Sequence, residues 1–145
     1  MMKNKINLSS PDLIGNEKKY LKECIDTNWV TSAGKFVNKF ESKISKFTNS
    51  KYVVSCNSGT AALHIGLKAL GINNGDEVIV PTLTFIATIN SVIYNNAKPI
   101  FFDVDDNFSL DENKFEDFIK NNTFKKKGNC INKKTGKRIF AVIIV

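Results

Sequence analysis

The stretch Asn57-Ser58-Gly59-Thr60-Ala61-Ala62-Leu63 decides the fold class, because small hydrogen-bonding residues stand between an apolar run and a helical pattern. The run Tyr52–Cys56 predicts a β-strand, and the apolar spacing after the junction predicts a helix over Thr60–Leu70 that stops at Gly71. The first N–H groups of a helix lack internal partners and the helix dipole adds partial positive charge, so such a junction can bind phosphate. The alternative reading is an ordinary helix cap formed by Asn57 or Ser58.

The alternation of strand and helix patterns continues downstream. The sequence predicts strands over Glu77–Val80 and Pro99–Asp103, with a helix over Thr84–Tyr94 between them. After a short helix capped by Asp111, the seven apolar residues Ile139–Val145 predict a strand buried on both faces. These patterns indicate an α/β fold with a mostly parallel sheet and helices on both faces.

The N-terminal part has a helical pattern instead. Apolar residues share one face over Pro11–Thr27 and again from Phe36 to Phe47, and Trp29 lies in the interruption between these helices. We therefore expect residues 1–48 to form a helical segment and residues 49–145 an α/β portion, both belonging to one domain. Because the final apolar run has no polar residues after it, we expect the chain to be the front part of a longer protein.

The net charge of +7 is a local property of the chain. Seven of the 21 basic residues lie between Asn121 and Arg138, a segment without acids, so the other 14 balance the 14 acidic residues. This segment predicts a solvated loop, and contact with nucleic acid is the less favoured alternative.

Several classes of protein are excluded by what the sequence lacks. The polar start, Met1–Asn7, has no secretory apolar region, and no run is long enough to span a membrane, so we expect a cytoplasmic protein without a membrane partner. The three cysteines have no C-x-x-C spacing, which argues against a disulfide framework, a zinc site or a redox pair. Cys56 is expected to be buried in its strand.

Ligands of open α/β sheets collect at the carboxyl ends of the strands, so the loops after successive strands are the candidate site. In the second of these loops, Phe85 either stacks on a flat ligand or packs in the core. In the third, the acids at positions 103, 105 and 106 are expected to cap turns rather than to bind a metal. His64 is expected to be a packing or surface residue, and the absence of G-x-G-x-x-G excludes a nicotinamide fingerprint.

Three collinear motifs then carry a family resemblance. Together with the Asn57–Leu63 stretch, Gly75–Pro81 (GDEVIVP) and Thr84–Thr88 (TFIAT) resemble the DegT/DnrJ/StrS sugar aminotransferases, pyridoxal-phosphate enzymes of the type I aminotransferase fold. The segments Trp29–Gly34 and Pro99–Val104 are also similar to this family. The resemblance implies that the chain is the N-terminal part of the large, cofactor-binding domain.

The resemblance also implies roles for individual residues. Ser58, Gly59 and Thr60 would bind the phosphate of pyridoxal 5′-phosphate, and Phe85 would stack on its pyridine ring. Thr31 and Ser32 would lie near the substrate entrance, with Trp29 packed beside them. The family's Schiff-base lysine and the carboxylate that pairs with the pyridine nitrogen would lie beyond Val145, so no residue of this chain is assigned as catalytic.

The activity implied by the resemblance is amino transfer from glutamate to a nucleotide-linked 4-keto-6-deoxysugar. The basic segment looks like an insertion of the branch that serves legionaminic-type or pseudaminic-type sugars, and the complete protein would be a homodimer. Two alternatives stay open. One is a sugar dehydratase of the same family, and the other is a non-catalytic module that binds a phosphorylated ligand or nucleic acid.

Overall fold

The computed structural model describes residues 9–145, so the expectation for Met1–Asn7 lies outside the described part of the chain. The described residues belong to two compact units, one ending at Ser55 and the other comprising Cys56–Val145. Within residues 9–145, no helix is both long enough and apolar enough to cross a membrane.

The first unit contains two amphipathic helices, α1 (Glu17–Asp26) and α2 (Lys35–Thr48). The prediction that α1 starts at Pro11 is wrong by six residues. Leu13 is 63% exposed and Ile14 is 90% exposed, so the apolar side chains before Glu17 have no packing that would hold them in a helix. The predicted α2 is confirmed, and it ends at Asn49, whose left-handed backbone (φ 54°) stops the helix.

The predicted strand Tyr52–Cys56 does not form. This segment has no strand partner among residues 9–145, and Cys56 is exposed rather than buried. The Glu41 carboxylate holds it instead, accepting hydrogen bonds from the backbone N–H of Ser55 at 2.8 Å and from its hydroxyl at 2.9 Å. The hydrogen bonds from the Ser55 N–H and from the Ser55 hydroxyl lower the pKa of Glu41 below its ordinary value. A β-strand requires a neighbouring strand to pair with, and an apolar run in the sequence cannot reveal whether such a neighbour is available.

The second unit is an α/β layer structure built on a five-stranded sheet in the order β2-β1-β5-β4-β3. Its elements are α3 (Gly59–Leu70), β1 (Glu77–Pro81), α4 (Ile86–Ile93), β2 (Lys98–Phe102), α5 (Glu112–Asn122), β3 (Thr123–Lys126), β4 (Asn129–Asn132) and β5 (Arg138–Val142).

The sheet is mixed but mostly parallel, as predicted. Strand β1 pairs in parallel with β2 on one side and with β5 on the other, whereas β4 is antiparallel to both β5 and β3. Four of the five strands therefore run in the same direction. The predicted final strand is β5, and it lies inside the sheet between β1 and β4. It ends at Val142 rather than at Val145, and the expected burial of its end is wrong, because Ile144 is 75% exposed and Val145 is 57% exposed.

The expected basic loop is a β-hairpin, which corrects the sequence prediction. Strands β3 and β4 pair from Thr123 opposite Asn132 to Lys126 opposite Asn129. The turn residues Lys127 (φ 49°) and Gly128 (φ 81°) both have positive φ, as a two-residue type I′ turn requires. The lysines gave the segment the composition of a solvated loop and obscured its alternating pattern.

Helices cover both faces of the sheet, which confirms the predicted architecture. On one face, Leu67 of α3 and Val92 of α4 pack with Val78 and Val80 of β1. On the other face, α5 packs against a second apolar layer: Ile79, Ile100, Phe102, Leu110, Phe115, Phe118, Ile119 and Ile139. The register shifts between Glu77 and Val78, which places both Phe140 and Ala141 against the first layer.

Two buried polar contacts fix the amino edge of the sheet. The Arg138 guanidinium donates to both carboxylate oxygens of Asp76, at 3.0 and 2.5 Å, and Asp76 is only 7% exposed. Beside it, the Asn132 amide donates to the carboxylate of Glu77 at 2.9 Å, and both residues are buried. Burial alone would raise the pKa of Asp76, but the hydrogen bonds from Arg138 and the Asn73 N–H, with the Arg138 charge, lower it overall.

We predict that R138L destabilises the protein by about 3 kcal/mol, because it leaves the Asp76 carboxylate buried without its partner. Urea unfolding followed by circular dichroism measures the change. The matched control is K22A, which breaks the exposed Lys22–Asp26 pair (2.6 Å) and should cost less than about 1 kcal/mol. Equal effects of the two variants would contradict a special role for the buried pair.

The lowered pKa of Asp76 also predicts a dependence of stability on pH. A carboxyl group with a pKa lower in the folded than in the unfolded protein stabilises fully above its unfolded value of about 3.9 and loses this contribution as the pH falls through its folded pKa. In D76N this contribution is absent at every pH. We therefore expect the difference in free energy of unfolding between wild type and D76N to shrink below about pH 4, and a constant difference would refute the prediction.

Candidate cofactor site

The N-terminus of α3 is a helix end with free backbone donors. Ser58 is the N-cap in extended conformation (φ −159°, ψ 160°), and its hydroxyl accepts a hydrogen bond from the Ala61 N–H at 3.2 Å. The capping interpretation of Ser58 is therefore correct. The N–H groups of Gly59 and Thr60 have no hydrogen-bond acceptor among residues 9–145, so the cap leaves donors for a ligand.

Gly59 keeps the space in front of these donors open. A Cβ atom placed on Gly59 would have no heavy atom of the described chain within 4 Å. A larger side chain at this position would therefore not clash with the described chain. The φ of Gly59 is also ordinary, so the backbone conformation does not require glycine. The missing side chain instead allows an anion to approach the helix end closely.

The direction of α3 places this helix end at the carboxyl edge of the sheet. The other end of α3 is at Gly71, whose carbonyl oxygen accepts a hydrogen bond from Arg138 at the start of β5, at 3.3 Å. The Gly59 end of α3 must then point toward the carboxyl ends of the parallel strands. Gly59 indeed lines a cavity of about 610 Å³ together with Ile143 and Ile144, which follow β5.

Phe85 stands at the same edge, because α4 begins directly after the loop that follows β1. Its ring is 83% exposed, so the interpretation of Phe85 as a core residue is wrong for the described chain. It lines an open cavity of about 350 Å³ with Leu83, Thr84 and Val145. An aromatic ring exposed to this extent can offer a flat face to a ligand.

Two contacts that the sequence analysis did not name involve α3 and α4. The hydroxyls of Thr84 and Thr88 are 2.8 Å apart and close the first turn of α4 around Phe85. The buried Asn95 side chain donates to the His64 carbonyl at 3.1 Å and so ties α4 to α3. The His64 ring packs on Tyr94 at 5.8 Å, in agreement with its predicted packing role. The Thr84–Thr88 contact has the spacing of one helical turn, whereas the contacts of Asn95 and Tyr94 with His64 join distant parts of the chain and have no signal in residue spacing.

The acidic loop after β2 has the predicted turn-forming role. Asp105 accepts hydrogen bonds from the N–H groups of Asn107 at 2.9 Å and Ser109 at 3.0 Å. Asp103 pairs with Lys114 at 2.7 Å. This hydrogen bond, a second one from the Val104 N–H, and the positive charge of Lys114 together lower the pKa of Asp103.

The residues expected at the substrate entrance belong to the other unit. The Trp29 indole donates to the Ala33 carbonyl at 2.7 Å, and a Cβ on Gly34 (φ 154°) would collide with the indole nitrogen. Gly34 is therefore required for this close approach. Thr31 and Ser32 are both exposed, and Trp29 itself is 57% exposed.

Taken together, the carboxyl edge offers two free helix N–H groups, open space and an exposed aromatic ring. The N–H groups and the helix dipole favour a dianionic phosphate, and the ring favours a planar group. These residues fit a phosphorylated, flat cofactor such as pyridoxal 5′-phosphate.

Known proteins share both the sequence and the fold of this chain. GDP-perosamine synthase of Caulobacter vibrioides is 47% identical over 116 residues, which cover 79% of this chain and 31% of that protein. A DegT DnrJ EryC1 StrS aminotransferase from Brucella abortus superposes on 88% of this chain and 32% of its own, with a TM-score of 0.73 and 27% identity. NtdA from Bacillus subtilis, solved with bound cofactor PMP, superposes on 69% of this chain and 23% of its own, with a TM-score of 0.64 and 38% identity.

The chain thus spans less than a third of the length of these proteins. The model of the DegT/DnrJ/EryC1/StrS aminotransferase family matches residues 11–143, which make up nearly the whole of this chain. Through the match over this range, the chain belongs to the DegT/DnrJ/EryC1/StrS aminotransferase family.

Proposed function

We propose that the full-length protein is a pyridoxal-phosphate-dependent aminotransferase that transfers an amino group from glutamate to the keto group of a nucleotide-linked deoxysugar. The product would serve the biosynthesis of a surface polysaccharide or glycan. The observation that carries the proposal is the open end of α3 at Gly59, which lies at the same sheet edge as the exposed ring of Phe85. Family membership and the relative named GDP-perosamine synthase support the sugar substrate.

In this proposal, the described residues bind and orient the cofactor. The N–H groups of Gly59 and Thr60, with the hydroxyls of Ser58 and Thr60, hold the phosphate, and Phe85 covers one face of the pyridine ring. When bound, pyridoxal phosphate supplies an electron sink for the amino-transfer chemistry. The Thr84–Thr88 contact keeps Phe85 at the mouth of the site.

The remaining parts of the proposal concern the substrate and the assembly. Trp29, Thr31 and Ser32 are proposed to lie near the substrate entrance, and the two hydroxyl residues are exposed. The full-length protein is proposed to be a cytoplasmic homodimer, and the lysine that anchors the cofactor is proposed to lie beyond Val145.

We predict that G59A weakens binding of pyridoxal phosphate at least tenfold, because its methyl group occupies the space through which the phosphate reaches the helix N–H groups. Stability should be unchanged or higher by up to about 1 kcal/mol, since alanine restricts the unfolded chain more than glycine does. Titration followed by absorbance measures affinity, and thermal unfolding measures stability.

The matched control for this variant is G66A in the middle of α3, where an added Cβ also meets nothing within 4 Å. It should gain similar stability and keep the cofactor affinity. If G59A binds the cofactor as well as G66A does, the phosphate site is not at this helix end.

We predict that F85A lowers cofactor affinity about threefold to tenfold, because a stacked aromatic pair contributes about 0.5–1.5 kcal/mol. F85Y keeps a ring and should bind like wild type. The control is I86A, which truncates the neighbouring side chain, itself 65% exposed. An equal loss in I86A and F85A would count against stacking.

The activity is tested with the full-length protein, glutamate and a nucleotide-linked 4-keto-6-deoxysugar. We expect an amino sugar and 2-oxoglutarate in equal amounts, identified by mass spectrometry. Loss of water from the sugar without a stable amino product would instead identify the dehydratase branch of the family. Residues 1–145 alone are expected to give no turnover, and measurable amino transfer by them would refute the proposed position of the lysine.

A further inference from the structure

The β3–β4 hairpin carries a concentration of positive charge that the rest of the unit does not neutralise. Lys125, Lys126 and Lys127 lie at its tip, and the turn between β4 and β5 adds Lys133, Lys134 and Lys137. None of these six lysines forms a salt bridge with an acid in the described part of the chain. All six are exposed. The hairpin therefore presents a free cationic surface.

The two faces of the hairpin differ. Cys130 points toward the α5 layer, and its cross-strand neighbour Lys125 shares that face. On the opposite face, Phe124 pairs with Ile131, and Lys126 lies two residues from Phe124 along the same strand. Phe124 is 44% exposed and, within residues 9–145, belongs to neither apolar layer of the sheet. This second face thus has an apolar pair with Lys126 beside it, and Lys133 follows Ile131 by two residues in the turn after β4, where its ammonium donates to the Asn121 carbonyl at 2.7 Å.

The hairpin also lies away from the candidate cofactor site. In the described part of the chain it pairs with β5 at Cys130 with Ile139 and at Ile131 with Arg138, at the start of that strand. The start of β5 is the amino edge of the parallel strands, whereas Gly59 and Phe85 lie at the carboxyl edge. A partner bound to the hairpin would leave the cofactor site accessible.

We propose that the Phe124–Ile131 face of the hairpin binds the surface of an anionic phospholipid bilayer. Lysines close to an anionic leaflet are attracted to it, and an exposed phenylalanine between them can enter the boundary between headgroups and acyl chains. This is binding at the surface, which needs no membrane-spanning helix. Nucleic acid is the less favoured partner, because single strands are bound through several stacked aromatic rings and residues 123–138 contain only Phe124.

The test is co-sedimentation of the full-length protein with vesicles of phosphatidylcholine, alone or mixed with phosphatidylglycerol. We expect binding only to the mixed vesicles at about 0.1 M salt and strong weakening at about 1 M salt, where charges are screened over about 3 Å. K126Q/K127Q/K133Q/K134Q should lower binding at least about 100-fold, since each lysine near such a surface contributes roughly fivefold. F124T should lower binding about tenfold.

The control variant is K18Q/K19Q/K43Q/K46Q, which removes the same charge from exposed lysines of α1 and α2. It should keep most of the binding of wild type, and circular dichroism should show that both quadruple variants are folded. The proposal is overturned if the two quadruple variants lose binding equally, or if wild type ignores the mixed vesicles. Tighter binding to a random single-stranded oligonucleotide than to the vesicles would also overturn it and favour nucleic acid.

Discussion

Burial of β1 on both faces and both edges is the constraint on which the second unit depends. All five residues of this strand, Glu77–Pro81, are buried, and parallel neighbours pair with it on each side. Val78 and Val80 serve one apolar layer and Ile79 the other, so α3, α4 and α5 are all positioned against this one strand. Each fully buried side chain of this kind contributes about 1.5–3 kcal/mol, which makes β1 the centre of the packing.

A strand buried on all sides determines where function can lie. The sheet interior has no room for a ligand, so ligand contacts must come from the loops and helix ends at its carboxyl edge. The amino edge is closed by Asp76 with Arg138 and by Glu77 with Asn132, where each buried carboxylate accepts a hydrogen bond from its partner. The two edges thus have different chemistry. One is held by side-chain contacts, and the other offers free backbone donors and an exposed ring.

Much of this architecture could be predicted from the sequence. The pattern of apolar residues predicted α2, α3, β1, β2 and β5, because the less exposed residues of the two helices recur at the helical period and the three strands consist largely of apolar runs. The segments where prediction failed are those with weak packing of their own. Residues 11–16 have exposed apolar side chains, Tyr52–Cys56 lacks a strand partner, and the lysines of the β3–β4 hairpin hide a strand pattern. The motif from Asn57 to Leu63 pointed to the candidate site because helix-end chemistry is local.

By itself, the sequence determined the α/β class, the packing of the final strand against apolar layers on both faces, and the capped helix start after Ser58 with its free backbone donors. These properties depend on residue spacing and on backbone groups that every helix start exposes. Only the tertiary structure decided that Phe85 is exposed, that α3 points its free end toward the carboxyl edge, and that the basic segment forms a hairpin at the opposite edge. The direction of α3 and the place of the hairpin in the sheet depend on contacts between residues far apart in the chain, such as Arg138 with Gly71 and the pairing of β4 with β5, which no local pattern records.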